Sequence, residues 1–555
     1  MYPFWLRSLG VVLVGVTMAS AAIMTLQQRP AIKSPELYQQ HYADDSFQAT
    51  LQELNGSISS SIASAHIEPV QRADNLTVAR RLSLGLIGSG MSLEEIRAFE
   101  LVESNEQLNW WTDVLLADPR WSDYFSQRFV RAAVGTDNGP FLLFRRRKLN
   151  TWLAEQLAND DVGFDEIVRD MISAQGLWTD TPAVNFVTAT MDEGAERRRS
   201  DPIRLAGRTA RAFLAQRIDC VQCHDDFLGT INFVTDARIE PGVQQHFHGL
   251  AAFYAGTVVA DPPFRGIIED GRPYRFQFLG EEEEEVVEPQ VPFSQELLPK
   301  DGKSRERLAS WVTNPENLAF SRAIVNRVWA LMFSKPLVEP VDSIPLDRPV
   351  PEALDILARD FSGHGFDIKR LIRLVTASDA FRRDSRSFHE EITEAHELTW
   401  AAFPVTQLRP DQVAGALLQA CKLTAIDDTS SIFTQLRVFG DGRDFLKRFG
   451  DRGEDEFEGD AVTIPQRLLL MNGKQVREGT KVDLVNNASS RIATMIPDDE
   501  RAIEISFLCT LNRRPTDAES RIFKEYFGAS QVNRSQTMGD IFWTLINTTE
   551  FSWNH

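Results

Sequence analysis

The residues of this chain whose types and spacing could do chemistry cluster in 218-IDCVQCHDDF-227, where Cys220 and Cys223 stand three apart and His224 follows at once. Two thiols at that spacing can join the two vinyl groups of one porphyrin, and the adjoining imidazole can reach its iron from the same side. Cys220, Cys223 and His224 are therefore candidate attachment and ligand residues for haem c. The same residues admit other chemistry. Two thiolates and His224, completed by His246 or His248, make a tetrahedral zinc donor set, although Cys223 and His224 are cramped as adjacent ligands. A redox-active dithiol and a structural disulfide need no cofactor, and the first lacks the strand-helix surroundings of a thioredoxin-like site.

A haem iron can take a second protein ligand, and His246 and His248 are the nearest candidates, with Met191 as a sulfur alternative. Two residues apart on a helix, the two imidazoles point about 200° apart, so one is preferred, His248; an open site or a ligand outside this set is equally admissible. Asp225 and Asp226 either orient His224 or cap the turn, and Asp226 is also a candidate metal ligand with His224, His246 and His248. A single CxxCH in 555 residues excludes a multihaem conduit. GxSxG, HExxH and GxxxxGK[ST] are all missing, so the mechanisms they encode have no local support. No nucleophile, acid–base pair or sugar-binding platform stands out to define an enzyme. Trp110, Trp111, Trp121, Phe125, Trp152 and Phe164 fall at helical spacings that suit packing.

The chain has 79 acidic and 59 basic residues, a net charge of -20 that repels phosphate backbones and argues against nucleic acid as a partner. The short clusters 145-RRRK-148 and 197-RRR-199 read as solvated faces. Beyond the motif the cysteines are Cys421 and Cys509, both read as small buried apolar residues. Residues 9–26 form an uncharged, mainly apolar run flanked by Arg7, Arg29 and Lys33, with Ala19-Ser20-Ala21 as a cleavage-type pattern. That run predicts a signal peptide or a retained membrane anchor within residues 1–30, and hence an extracytoplasmic chain.

The elements that must position the motif are mostly helices. Residues 31–74 are polar and include 56-GSISSSIASA-65, which predicts a tether. Apolar residues three and four apart then recur from 75 to 256, with Ser92 and Glu95 forming a capping box and Pro202 opening the helix that leads into the cysteine pair. Residues 257–303, with 273-PYRFQFLG-280 and the acidic run 281-EEEEE-285, predict an extended or irregular connector whose glutamates are solvated. A second helical domain is expected over 304–530, with Trp329 as a core anchor and Arg327 as an ion-pair or surface residue, and a tail over 531–555. The stretch 441–460, rich in Gly, Asp and Glu, reads as a loop excursion. The predicted fold class is mainly α, two helical domains with a short extended or irregular excursion between them.

Several stretches carry a family resemblance. In the first domain they are 80-RRLSLGLIG-88, 164-FDEIVRDMISAQG-176, 213-FLAQRIDCVQCHDDF-227 and 249-GLAAFYAG-256. In the second they are 307-RLASWVTNPENLAFSRAIVNRVWALMFSKPLVEPVD-342, 366-FDIKRLIRLVTASDAFR-382, 463-TIPQRLLLMNG-473 and 511-LNRRPTDAE-519. Over about residues 75 to 530 the chain resembles the exported planctomycete proteins that pair a cytochrome-like domain of unknown function with a second such domain. The resemblance implies an extracytoplasmic two-domain architecture, with Cys220 and Cys223 as attachment residues and His224 as proximal ligand; it supplies no distal ligand. Relatives commonly continue the motif as Cys-His-Asp-His-Pro-Phe, whereas this chain has Cys223-His224-Asp225-Asp226-Phe227. The expected function is a monohaem electron-transfer or redox-sensing module, with a redox or cell-envelope protein as partner and an N-terminal membrane association. The alternative is a non-enzymatic envelope or interaction protein with a disulfide or metal at the motif.

Overall fold

The computed structural model describes residues 39–136, 139–140, 142–191, 198–235, 238–387, 391–427, 430, 440, 442, 444–450, 456–457 and 463–555. The apolar run 9–26 and its flanking charges lie outside the described residues, as do parts of 441–460. Among the described residues, no helix is long and apolar enough to cross a membrane.

Residues expected in a tether form a 20-residue helix, α1 (Asp45–Ser64), which corrects the sequence reading of 31–74. Asp44 caps it by accepting the Phe47 N–H, and Leu54, Ile58 and Ile62, four apart, bury one stripe. Each such burial is worth about 2 kcal/mol, enough to outweigh the weak helix propensity of the serines. The serines turn back on the helix instead, Ser60 and Ser64 donating to the carbonyls of Gly56 and Ser60.

Next come α2 (Asn75–Ile87), α3 (Leu93–Glu100), α4 (Gln107–Leu116), α5 (Pro119–Val134), α6 (Arg146–Ala158), α7 (Phe164–Ser173) and α8 (Pro202–Leu214). The Ser92–Glu95 capping box forms as expected at the start of α3. Helix α2 is central: every residue from Val78 to Ile87 is buried. Trp111 is fully buried and donates its indole N–H to Ser83 of that helix at 3.0 Å, so this aromatic serves packing. Trp110, Trp121, Phe125 and Phe164 are buried as well, and Trp152 is half-buried.

The middle of the chain holds β1 (Asn232–Thr235), β2 (Arg238–Pro241), α9 (Gln244–Ala252), β3 (Thr257–Val259), β4 (Ile267–Glu269), β5 (Tyr274–Phe276) and β6 (Glu285–Val287). The strands pair in order as antiparallel hairpins, β1 with β2, β3 with β4 and β5 with β6, rather than as a parallel sheet. Glu281–Glu285 are exposed.

The second helical half contains α10 (Ser304–Val312), α11 (Leu318–Phe333), α12 (Glu352–Gly363), α13 (Ile368–Ala377), β7 (Thr406–Gln407), α14 (Pro410–Ala420), α15 (Ile464–Asn472), α16 (Asp499–Leu511), α17 (Arg534–Ile546) and β8 (Trp553–Asn554). Trp329 is fully buried and stacks on Phe333 at 4.3 Å. Arg327 is also buried, and desolvation draws its guanidinium below the ordinary value despite Glu456 and Asp342 nearby. Cys421 and Cys509 are buried as read from the sequence.

The two halves share one core. A contiguous cluster runs from Phe47 and Leu82 to Trp329, Phe381 and Phe542, and a smaller one joins Leu84 to Leu417, Phe507 and Phe551. The expected tail over 531–555 is part of this packing: α17 buries Met538, Ile541, Phe542, Leu545 and Ile546, and β8 pairs with β7. Two arginines of α2 seize the end of the chain. Arg81, fully buried, donates to the main-chain oxygens of His555 at 2.7 Å, Phe381 at 3.0 Å and Arg383 at 2.6 Å, while Arg80 donates to Phe551 at 3.1 Å. Burial pulls Arg81 down to about 9, so it stays charged at neutral pH. Deleting Thr549–His555 strips acceptors from both buried guanidinium groups and should cost about 3 kcal/mol or more, measured as a lower urea midpoint; a tail would leave the midpoint unchanged.

Candidate functional site at the CVQCH turn

Helix α8 ends at Leu214, where Ala215 adopts a left-handed conformation (φ 50°) and turns the chain out of the helix. The next residues are fastened to the second half. Ile344 N–H donates to the Ala215 carbonyl at 2.8 Å, Gln216 donates to the Ile344 carbonyl at 2.7 Å, and Arg217 pairs with Asp342 at 2.6 Å. Asp219–Gln222 then form one 3-10 turn that ends at Cys223. Ile218 and Val221 are buried, whereas Cys220, Cys223 and His224 are exposed and both thiols are free. A short turn with alternate apolar pegs thus presents its three chemically capable side chains outward.

The tautomer of His224 follows from its one contact. Its Nδ1 lies 2.8 Å from the Asp225 carbonyl oxygen, an acceptor only, so Nδ1 carries a proton and donates, and in the neutral ring the lone pair lies on Nε2. A histidine held this way is set to bind a metal through Nε2.

His248 sits under the turn, fully buried on α9. Its Nε2 lies 2.9 Å from the Gln222 carbonyl, which can only accept, so Nε2 donates and Nδ1 accepts from the Tyr274 hydroxyl at 2.9 Å. Phe276 stacks on the ring at 3.4 Å between centroids, Tyr274 lies nearly parallel at 5.9 Å, and Phe247 and Phe278 meet it edge-on. Desolvation among these rings holds His248 below the ordinary 6.5, and the bond to the Gln222 carbonyl only partly offsets it. Both ring nitrogens are engaged, so His248 supports the middle of Cys-Val-Gln-Cys from beneath as a neutral imidazole. Gln244 reinforces it by donating its side chain to the Gln222 carbonyl and its N–H to Asp225.

The other candidates are dispersed. His246 accepts the Val243 N–H on Nδ1 at 3.2 Å and meets Phe233 edge-on. Asp226 turns its carboxylate into the 228–231 turn, accepting from Leu228 N–H, Thr230 Oγ1 and Ile231 N–H. Burial would raise its carboxyl, but those bonds hold it below the ordinary range. Met191 is buried. Among the described residues no group of three or more His, Cys, Asp or Glu is gathered to hold a metal, so His224, His246, His248 and Asp226 are not brought together. Sequence reasoning missed the aromatic support of His248. Its signal was the alternation in 273-PYRFQFLG-280, where Tyr274, Phe276 and Phe278 fall two apart and share the covered face while Arg275 and Gln277 are exposed.

Fold and site together define a mainly helical protein of two halves that presents a cysteine–histidine turn. Two family models match the chain: PSCyt2, a protein of unknown function (DUF1549), over residues 53–253, and PSD1, a protein of unknown function (DUF1553), over residues 304–437. The chain belongs to the planctomycete cytochrome-like family that pairs these two domains. Membership in this family of exported two-domain proteins supports the extracytoplasmic location read from the sequence. Neither a curated protein nor a solved structure matches it significantly.

Two measurements check the geometry. In the reduced native protein, Cys220 and Cys223 should be alkylated rapidly, and Cys421 and Cys509 only after unfolding, as read by peptide mass spectrometry. The lowered His248 also has a pH signature. Above 6.5 neither the folded nor the unfolded chain protonates it; as pH falls through 6.5 the unfolded chain takes up a proton that the folded one refuses, so stability declines toward the lower folded value. His248→Gln should therefore flatten the fall in urea midpoint between about pH 7 and pH 5 and speed alkylation at Cys220 and Cys223.

Proposed function

We propose that the CVQCH turn is a covalent haem-attachment site and that the chain is an exported monohaem electron-transfer or redox-sensing protein, residues 9–26 acting as its signal or anchor. The carrying observation is the disposition of the turn: two free, exposed thiols beside an imidazole whose Nδ1–H is already committed to the Asp225 carbonyl. Cys220 and Cys223 would hold the porphyrin through thioether bonds, and His224 would offer Nε2 to the iron. When bound, haem supplies one-electron exchange at a potential set by its ligands and its burial.

This chain's own residues would keep the attachment geometry fixed. Val221 anchors the turn in the core, and His248 and Gln244 hold the Gln222 carbonyl. Phe227 and Leu228, 84% and 87% exposed, add apolar surface directly after the motif, which suits a porphyrin face or a redox protein partner. His246 and His248 are committed to other hydrogen bonds, so His224 is the residue that would hold the iron.

A second reading, a reversible Cys220–Cys223 disulfide, draws on the same free thiols. Expression with haem-attachment machinery separates the two. The first reading expects a haem mass that survives denaturation, a reducible visible spectrum, loss of both in a Cys220→Ser/Cys223→Ser double variant, and a retained mass with an altered spectrum in His224→Ala. A haem-free mass together with a quantitative Cys220–Cys223 bridge overturns it.

A further inference from the structure

Away from the turn, a cavity of about 200 Å³ lies where α5 meets the start of α14 and the helical residues 444–449. Among the described residues its charged lining is Arg128, Arg131, Arg409, Lys447, Asp411 and Glu456, in a chain whose net charge is -20. Both carboxylates are already engaged. Asp411 accepts from the Tyr124 hydroxyl at 2.6 Å and from Arg128 at 3.2 Å, and Glu456 accepts from Arg128 at 3.3 Å with Arg131 at 3.9 Å.

Arg409, whose guanidinium lies 5.8 Å over the Phe457 ring, keeps a buried donor unpaired. Only 2% exposed, it donates Nη2 to the Tyr124 hydroxyl at 2.8 Å, and its Nε lies 4.0 Å from Asp411, but Nη1 meets no acceptor among the described residues. Lys447 stands exposed at the rim with no ion pair among the described residues. A buried charged donor without a partner costs about 1–3 kcal/mol or more, and an arriving acceptor recovers that cost. The cavity is too small for a drug-sized ligand, which occupies roughly 300 Å³ or more, but it admits a group the size of a few water molecules at about 30 Å³ each.

We propose that this cavity binds a small anion through phosphate or carboxylate oxygens, with Arg409 as the buried contact and Lys447 as the rim charge. Because the chain as a whole repels anions, the affinity must come from these local groups. The site is independent of the haem reading.

Calorimetric titration of the full chain with inorganic phosphate and, separately, with malonate tests it, with chloride at matched ionic strength as control. One-site saturable binding of at least one of the two is expected, accompanied by a raised Tm. Phosphate alone identifies a phosphate group, and malonate alone a carboxylate. Arg409→Gln should abolish the binding, and the exposed Lys447→Ala should weaken it about threefold. If Arg409→Gln does not fold, Lys447→Ala decides. No saturable binding of either anion, or unchanged affinity in Lys447→Ala, overturns the proposal.

Discussion

The architecture depends on guanidinium groups taken out of water and repaid by main-chain oxygens. A buried cation costs less the more of its donors are met, and a planar guanidinium brings five N–H donors to this task against three on an ammonium. Arg81 joins α2 to the segment after α13 and to the end of the chain. Arg305 of α10, fully buried, donates to the Ile172 and Ala174 carbonyls at 3.0 Å, where α7 runs out of its own donors, and pairs with Glu269 on β4 at 3.3 Å. Arg373 of α13 meets the buried Asp113 of α4 at 2.7 Å. Apart from Arg305–Glu269, each of these contacts links residues more than 130 positions apart, so the two halves are interlocked by directional bonds in addition to their shared apolar core.

That interlocking explains how a surface turn can be both exposed and fixed. The CVQCH turn has no regular helix of its own beyond one 3-10 turn, yet its flanks are pinned from both sides. Residues 215–217 are tied to the second half through Ile344 and Asp342, and Gln222 is tied to α9 through His248 and Gln244. The stacking of Phe276 on His248 desolvates the imidazole, which keeps it neutral and preserves the donor–acceptor order that the Gln222 carbonyl and the Tyr274 hydroxyl require. A protonated ring would have two donors and would lose the Tyr274 hydroxyl as a donor to it.

Local signals were legible where the physics is local. The capping box at Ser92, the proline at the start of α8, the placement of the motif after that helix and the burial of Cys421, Cys509 and Trp329 all follow from spacing and side-chain type. The misreadings arose where tertiary contacts decide. The serines of 56–65 suggested a tether, but Leu54, Ile58 and Ile62 have a core to meet, and residues 531–555 looked like a tail because Arg80 and Arg81, their partners, lie more than 450 residues away. His248 was legible as chemically capable but not as a support, since its partners Gln222 and Tyr274 come from a turn and a strand that only the fold brings together.

Asp226 shows what a carboxylate does at this place in the turn. An imidazole offers a single acceptor nitrogen in its neutral form, whereas a carboxylate offers two oxygens with about four lone-pair sites. Here those oxygens receive Leu228 N–H, Thr230 Oγ1 and Ile231 N–H, and the Asp226 N–H itself donates to the Gly242 carbonyl at 2.8 Å. Gly242 in turn donates to the Ile231 carbonyl at 2.8 Å, and a side chain at that position would collide with Ile231 and crowd Val221. The carboxylate therefore closes a turn between the motif and the β1–β2 hairpin, and that turn carries Phe227 and Leu228 outward against their preference for burial. Since a carboxylate that accepts from three donors has little capacity left for a cation, Asp226 serves to hold the turn beside the exposed Cys220, Cys223 and His224.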